Sequence, residues 1–307
     1  MKKLLLIFIF ILAAISVIKA ESPYVVVLGI GQDAGVPQIG CETPFCKKAW
    51  KNPKIRRMVS SIALVNPDTN ERWVFDATPD FPAQFEVLKE VTSDYSNNLA
   101  GIFLTHAHIG HYTGLMYLGR ESMNSKDVKV FAMPGMKTML ETNALWSQLV
   151  NIKNIAISPL IENEPIKLNE NLKVEPFLVP HRDEFSETVG YKIISNSKSL
   201  IFIPDIDKWQ KWNQKLEEVV KLNDYVFIDG TFYQDGEINR PMSEVPHPFV
   251  SETMELLKNL PAKDKAKVFF IHFNHTNPLV QNDKKKLREV KSKGFNVAFE
   301  KQKIDLQ

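Results

Sequence analysis

Short apolar runs cut by turn residues, rather than long amphipathic stretches, dominate this chain. Residues 24–30 are β-branched and apolar and end at Gly31, which predicts a buried strand. Residues 59–65 and 72–76 read as two more strands, with Asn66-Pro67-Asp68-Thr69-Asn70 as the turn between them. Similar runs predict strands at 100–105, 128–133, 172–179, 200–203, 225–228 and 268–271. Helical spacing is clearest at 81–91, where Phe81, Phe85, Leu88 and Val91 share a face. Further helices are expected through 136–149, from Lys208 with Asp207 as its N-cap, up to Leu260, and around Lys284–Arg288. The stretch from Gly31 to Met58 reads as one long loop, and loops of that length in compact domains are usually functional or disordered.

The 307 residues allow one α/β domain or two smaller ones, and no repeat, low-complexity segment or linker divides them. Lys2 and Lys3 precede an apolar run from Leu4 to Ile18, followed by Lys19-Ala20-Glu21. That order reads as a secretory signal peptide over residues 1–20, leaving a mature domain of 21–307 with no stable membrane anchor, in the periplasm or outside the cell. The run is short for an uncleaved membrane anchor. Cleavage removes three lysines and no acid, so the formal charge of +2 becomes −1. A nearly neutral protein gives no electrostatic footprint for nucleic acid, and a small-molecule substrate is expected instead. The run Lys284-Lys285-Lys286-Leu287-Arg288 reads as the solvated face of a helix.

Chemistry concentrates in Thr105-His106-Ala107-His108-Ile109-Gly110-His111, directly after an apolar run. Helical periodicity does not explain three histidines at this spacing. On a loop leaving a strand, His106 and His108 can aim at one point and His111 at a second nearby, and imidazole is the commonest protein ligand for zinc and iron. The other histidines (His181, His247, His272, His275) also follow strands or turns, and none precedes residue 106.

The segment resembles the His-x-His-x-Asp-His signature of the metallo-β-lactamase fold, with Gly110 in place of the signature's aspartate. The resemblance covers about residues 24–300. Gly35-Val36-Pro37-Gln38-Ile39-Gly40-Cys41, with Cys46, is similar to a glycine- and cysteine-containing loop of two branches of that fold, the coenzyme PQQ synthesis protein B group and the phosphoribosyl cyclic phosphodiesterase group. Asp229-Gly230-Thr231-Phe232 and His272-Phe273-Asn274-His275-Thr276-Asn277-Pro278 resemble segments of the first branch.

The resemblance implies a four-layer αββα sandwich. One metal would take His106, His108 and His181; a second would take His111 and His272, with Asp205 bridging. Asp76 would buttress the histidine loop. With the aspartate gone, three ligands remain at the second position; His275 could fill the vacancy or act as a general base, and His247 falls where the same pocket should open, a further catalytic candidate. Zinc, as one or two ions, is the expected cofactor, with iron or manganese as alternatives. In relatives the loop thiolates hold a structural zinc. Here Thr43 replaces the middle cysteine, so a Cys41–Cys46 disulfide is expected, the alternatives being a Cys41/Cys46 metal site completed by histidine or two free thiols.

Three functions are open on this reading. The first is a secreted metal-dependent hydrolase whose metal-bound hydroxide attacks a phosphodiester or another small ester or amide. The second is an iron-dependent oxidative enzyme at the same histidines. The third is a binding protein that lost turnover with the aspartate, which Gly110→Asp would distinguish from a weakened hydrolase. β-Lactam hydrolysis fits the fold and compartment, but the loop segments point to another branch.

Overall fold

Alternation along the first strand sets the layering. Val25 and Val27 join a core shared by two sheets, while Val26 and Leu28 join a second core on the other side of their sheet. The structure is a computed structural model that describes residues 22–239, 241 and 244–307; the expected signal peptide lies outside the described residues.

In chain order the elements are β1 (Tyr24–Gly29), α1 (Pro44–Lys51), β2 (Ser61–Asn66), β3 (Glu71–Phe75), α2 (Phe81–Thr92), β4 (Gly101–Phe103) and α3 (Ile109–Tyr112). Then come β5 (Val128–Ala132), α4 (Pro134–Thr142), α5 (Ala144–Asn151), β6 (Ile155–Pro159), β7 (Ile166–Lys167), β8 (Lys173–Leu178) and β9 (Val189–Ile194). The chain closes with β10 (Ser199–Ile203), α6 (Leu216–Leu222), β11 (Tyr225–Asp229), α7 (Val250–Leu256), α8 (Ala262–Lys265), β12 (Val268–Ile271), α9 (Lys284–Ser292), β13 (Asn296–Val297) and β14 (Lys303–Asp305).

Among the described residues the strands form two seven-stranded sheets, ordered β14-β1-β2-β3-β4-β5-β6 and β13-β12-β11-β10-β9-β8-β7. Side chains of α2, α4 and α5 cover the outer face of the first sheet, and those of α6, α7 and α9 extend the core of the second. This is the expected αββα sandwich. Between the sheets, Phe75 stacks on Phe103 at 4.9 Å and Phe103 on Phe131 at 4.2 Å, with Tyr191 edge-on to the first two at 5.4 Å. Such pairs contribute about 0.5–1.5 kcal/mol each beyond area burial, so β3, β4 and β9 make a rigid floor beneath the loops that follow them.

Strand directions explain where those loops meet. β3 to β6 run parallel, as do β10 to β13. β1 is antiparallel to β2 and β2 to β3, so β1 runs with β3; by the same logic through β9, β8 runs with β10. The carboxyl ends of β1, β3, β4, β8, β10, β11 and β12 therefore point along common directions within their sheets. The two edges are tied where Gly31 bridges to both Val59 and Phe273.

Two elements differ from expectation. The segment Gly31 to Met58 is not all loop: Thr43 accepts a hydrogen bond from the Cys46 amide and Pro44 opens α1, a capped start that the cysteine spacing obscures. The helix expected through 136–149 is two helices, because Asn143 leaves helical geometry, and its side chain accepts from the Leu145 amide to cap α5.

Candidate metal centre

Thr105 leaves β4 and its backbone amide donates to Asp76 Oδ1 at 2.8 Å, while its hydroxyl donates to Asp76 Oδ2 at 2.9 Å. Asp76 is fully buried and also faces His111 Nδ1 at 2.7 Å. One carboxylate thus fixes the start of the histidine loop and the ring orientation of His111, leaving its Nε2 aimed away. Tyr191 donates to the Leu104 carbonyl, the Val189 amide to that of Thr105, and Ser186 accepts from the Ala107 amide, so the second sheet and the loop after β8 brace the same segment.

The first donor set follows. His106 Nε2 lies 2.8 Å from His108 Nδ1, and His181 Nε2 lies 3.3 Å from that nitrogen. Asp205 Oδ2 is 3.5 Å from His106 Nε2 and 3.3 Å from His181 Nε2. The ligand atoms of these four residues all fall within 4.8 Å of one another. Burial, with the neighbouring His111, holds His106 well below its ordinary pKa, which leaves a neutral imidazole as a ligand requires. Asp207 is a correction. It caps no helix; the short turn there begins at Trp209, and Asp207 Oδ1 instead faces His181 Nδ1 at 3.3 Å. His108 Nε2 faces the half-exposed Glu184 at 3.2 Å.

The second set contains a residue that the motif does not announce. Asp33, Asp205, His111 and His272 also bring one ligand atom each within 4.8 Å of the others. Asp33 Oδ1 is 3.2 Å from His111 Nε2 and 3.7 Å from His272 Nε2. The other nitrogen of His272 is paired with the Thr231 hydroxyl at 3.0 Å. The second group therefore gathers four ligand-type atoms, and none of them belongs to His275. Its ring nitrogen groups with the sulfurs of Cys41 and Cys46. Those cysteines form a disulfide, with Cα atoms 5.9 Å apart, so the thiolates that a structural metal would need are bonded to each other.

The donors fit divalent cations. Asp33 Oδ1, His111 Nε2 and His272 Nε2 are buried and make no hydrogen bond of good geometry, His111 Nε2 meeting Asp33 Oδ1 only as an ion pair at 3.2 Å. A buried unpaired polar atom costs about 1–3 kcal/mol, and three converging on one space are relieved together by a cation. Without one, His111 is pushed up to about 10; burial opposes this, but Asp76 and Asp33 face its two nitrogens and outweigh it.

His247 stands behind Asp205. Its Nδ1 is 3.1 Å from Asp205 Oδ1 and 2.8 Å from Asp229 Oδ2, and Asp229 in turn accepts from the Thr231 and Ile206 amides. Beside the cluster opens a cavity of about 520 Å³, lined by polar Gln32, Arg182, Asn274 and His275 and by apolar Phe232 and Ile238.

Sequence reading missed Asp33 because it sits in a loop of Gly, Gln, Asp and Ala where an acid has no motif around it. The available signal was indirect: a glycine where the histidine signature carries an acid calls for a carboxylate from elsewhere.

The model of the β-lactamase superfamily domain matches residues 71–273. Over its length the chain is 25% identical to a coenzyme PQQ synthesis protein B of Methylorubrum extorquens (strain PA1), covering 92% of this chain and 100% of that one. It is 26% identical to the protein of that name from Methylococcus capsulatus, covering 89% and 97%. Among solved structures, zinc-bound PqqB from Methylobacterium extorquens superposes with a TM-score of 0.76 at 23% identity, over 92% of this chain and all of the other. A diphosphatase of the PhnP family superposes with a TM-score of 0.63 at 22% identity, over 92% and 96%. With two matched sheets, the histidine loop at their common edge and the superfamily match over most of its length, this chain belongs to the β-lactamase superfamily as a PqqB-like protein of the metallo-β-lactamase fold.

Proposed function

We propose that this protein is an exported metal-dependent hydrolase acting on a small phosphodiester or related ester or amide. The observation that carries the reading is the pair of four-atom donor sets sharing Asp205, whose neighbour His247 lines the adjoining cavity. His106, His108, His181 and Asp205 would hold one cation, and His111, His272 and Asp205 a second. Bound cations supply a nucleophile by lowering the pKa of water from about 15.7 toward 7, and they stabilise charge that develops on the substrate.

The chain's own groups do the rest. Asp229 holds His247 at Nδ1 on the cavity wall, where the imidazole can carry a proton to a leaving group. Arg182 offers a cation to an anionic substrate, and Phe232 with Ile238 offers an apolar surface to its organic part. Zinc is the proposed metal, supported by the donor chemistry and by the zinc-bound PqqB relative; the diphosphatase relative supports a phosphorus ester. Export is supported by the basic and apolar order of residues 2–18 and by the Cys41–Cys46 disulfide, and it sets this chain apart from coenzyme synthesis in the cytoplasm.

The test is metal content per chain of the mature protein by elemental analysis, followed by a screen with phosphodiesters, esters and amides. Two equivalents of zinc and turnover that a chelator abolishes are expected. No uptake of any divalent metal would overturn the proposal, and two equivalents of iron with oxygen consumption would replace it with an oxidative enzyme.

A further inference from the structure

We infer that Asp33 is the carboxylate ligand of the second metal position, delivered by the loop after β1 into the space that Gly110 leaves in the histidine motif. This rests on the reading of the cluster as a metal centre. A Cβ on Gly110 would lie 2.5 Å from Asp33 Cα and 2.5 Å from Asp33 Oδ1. Neither contact is tolerable, and the first is with backbone, so no rotamer of Asp33 relieves it. A side chain at position 110 and Asp33 in its present place exclude each other: the carboxylate is relocated within the site. Gly110→Asp therefore does not restore a missing group; it collides with the one already present.

The loop is built to hold Asp33 there. The Gln32 amide donates to the Phe273 carbonyl at 2.8 Å, and the Phe273 amide to that of Ile30 at 2.7 Å. Asn274 Nδ2 donates to Gln32 Oε1 at 2.6 Å, and the Gly35 amide closes a turn onto the Gln32 carbonyl at 2.7 Å, with Gly35 at φ +69°. Asp33 thus moves with His272, its partner in the donor set, because one hydrogen-bonded ribbon carries both. The set becomes two carboxylates and two imidazoles, a mixture suited to zinc, iron or manganese. Gln32 and Gln38 of the same loop line the cavity, so a cation bound by Asp33 also fixes part of the substrate wall.

The experiment is a titration of metal-depleted protein with Zn²⁺ against a chromophoric chelator, with Co²⁺ absorption spectra as a second readout. Wild type should bind two equivalents. Asp33→Asn preserves shape and removes charge. It should keep the first equivalent within about threefold and weaken the second on the order of 100-fold, with a changed Co²⁺ spectrum at the second equivalent only. Gly110→Ala should weaken the same equivalent by displacing Asp33. Thermal unfolding of each metal-free variant checks the fold. If Asp33→Asn binds both equivalents with wild-type affinity and spectrum, the inference is overturned while the metal centre stands, and Asp33 is a hydrogen-bonding neighbour of His111. If wild type binds no metal, both fall together.

Discussion

The two donor sets share Asp205 but are made in different ways. The set of His106, His108 and His181 opens toward solvent: the His108 side chain is 15% exposed, and its outward partner Glu184 is 47% exposed. In the set of Asp33, His111 and His272 it is the carboxylate that faces solvent, Asp33 being 30% exposed. His111 and His272 are fully buried, and each has its other ring nitrogen fixed by a buried group, Asp76 or Thr231. At the first position one ring of three, that of His108, is oriented by a group that water can replace, while His106 and His181 face buried Thr105 and Asp207; at the second both rings are held by groups that water cannot reach. A change of equal chemistry should therefore cost more at the second position, although its ligands depart from the familiar motif.

Removing the shared group tests whether the two positions are one centre. Asp205→Asn should bring metal content from two equivalents to one or fewer and lower kcat/KM by about a thousandfold or more, measured by elemental analysis and steady-state kinetics. Retention of both equivalents would make the positions independent.

The buttressing carboxylates give the sharpest contrast. Asp76→Asn should weaken the second equivalent about 10- to 100-fold, because the amide keeps one acceptor oxygen and no charge where the Thr105 amide, the Thr105 hydroxyl and His111 Nδ1 share two carboxylate oxygens. Asp207→Asn, at the longer and less buried contact with His181, should weaken the first equivalent by less than about tenfold. Chelator competition on both variants measures this, and equal losses would remove the contrast between the two positions.

Glu184→Gln should have the smallest effect, under about threefold on first-site affinity, since exposed pairs contribute about 0–1 kcal/mol. A larger loss would mean that this loop closes over the first position when metal is bound.

The strands and the His106–His108 pair were legible because their signals are local. Apolar runs mark the strands, and His106 with His108 sits in a spacing that only a loop explains. His181, His272 and Asp205 became readable only through the ligand order that the resemblance implies. Asp33 was not legible, because its partners are distant in sequence and its reason for being there is a steric relation to Gly110 that only coordinates express. Asp207 misled for the opposite reason: an acid after a strand and before a turn satisfies the rule for a cap, and only the ring of His181 beside it shows another use. His275 was drawn toward the vacancy by proximity in sequence to His272, yet it turns toward the disulfide.

The bridge of Gly31 to Phe273 has a consequence for the order of events in biosynthesis. It joins the end of the first strand to the end of the twelfth, and the Gln32–Asn274 contact spans 242 positions. A chain still emerging from the ribosome or crossing a membrane can possess Asp33, His106, His108, His111 and His181 while the strand bearing His272 has yet to arrive. Contacts of such separation form late, because the intervening loop entropy must be overcome first. On the proposed reading, the second cation can be captured only by a finished molecule, and by mass action it then stabilises that molecule and no partial one. Loading of that position would serve as a seal on completed folding.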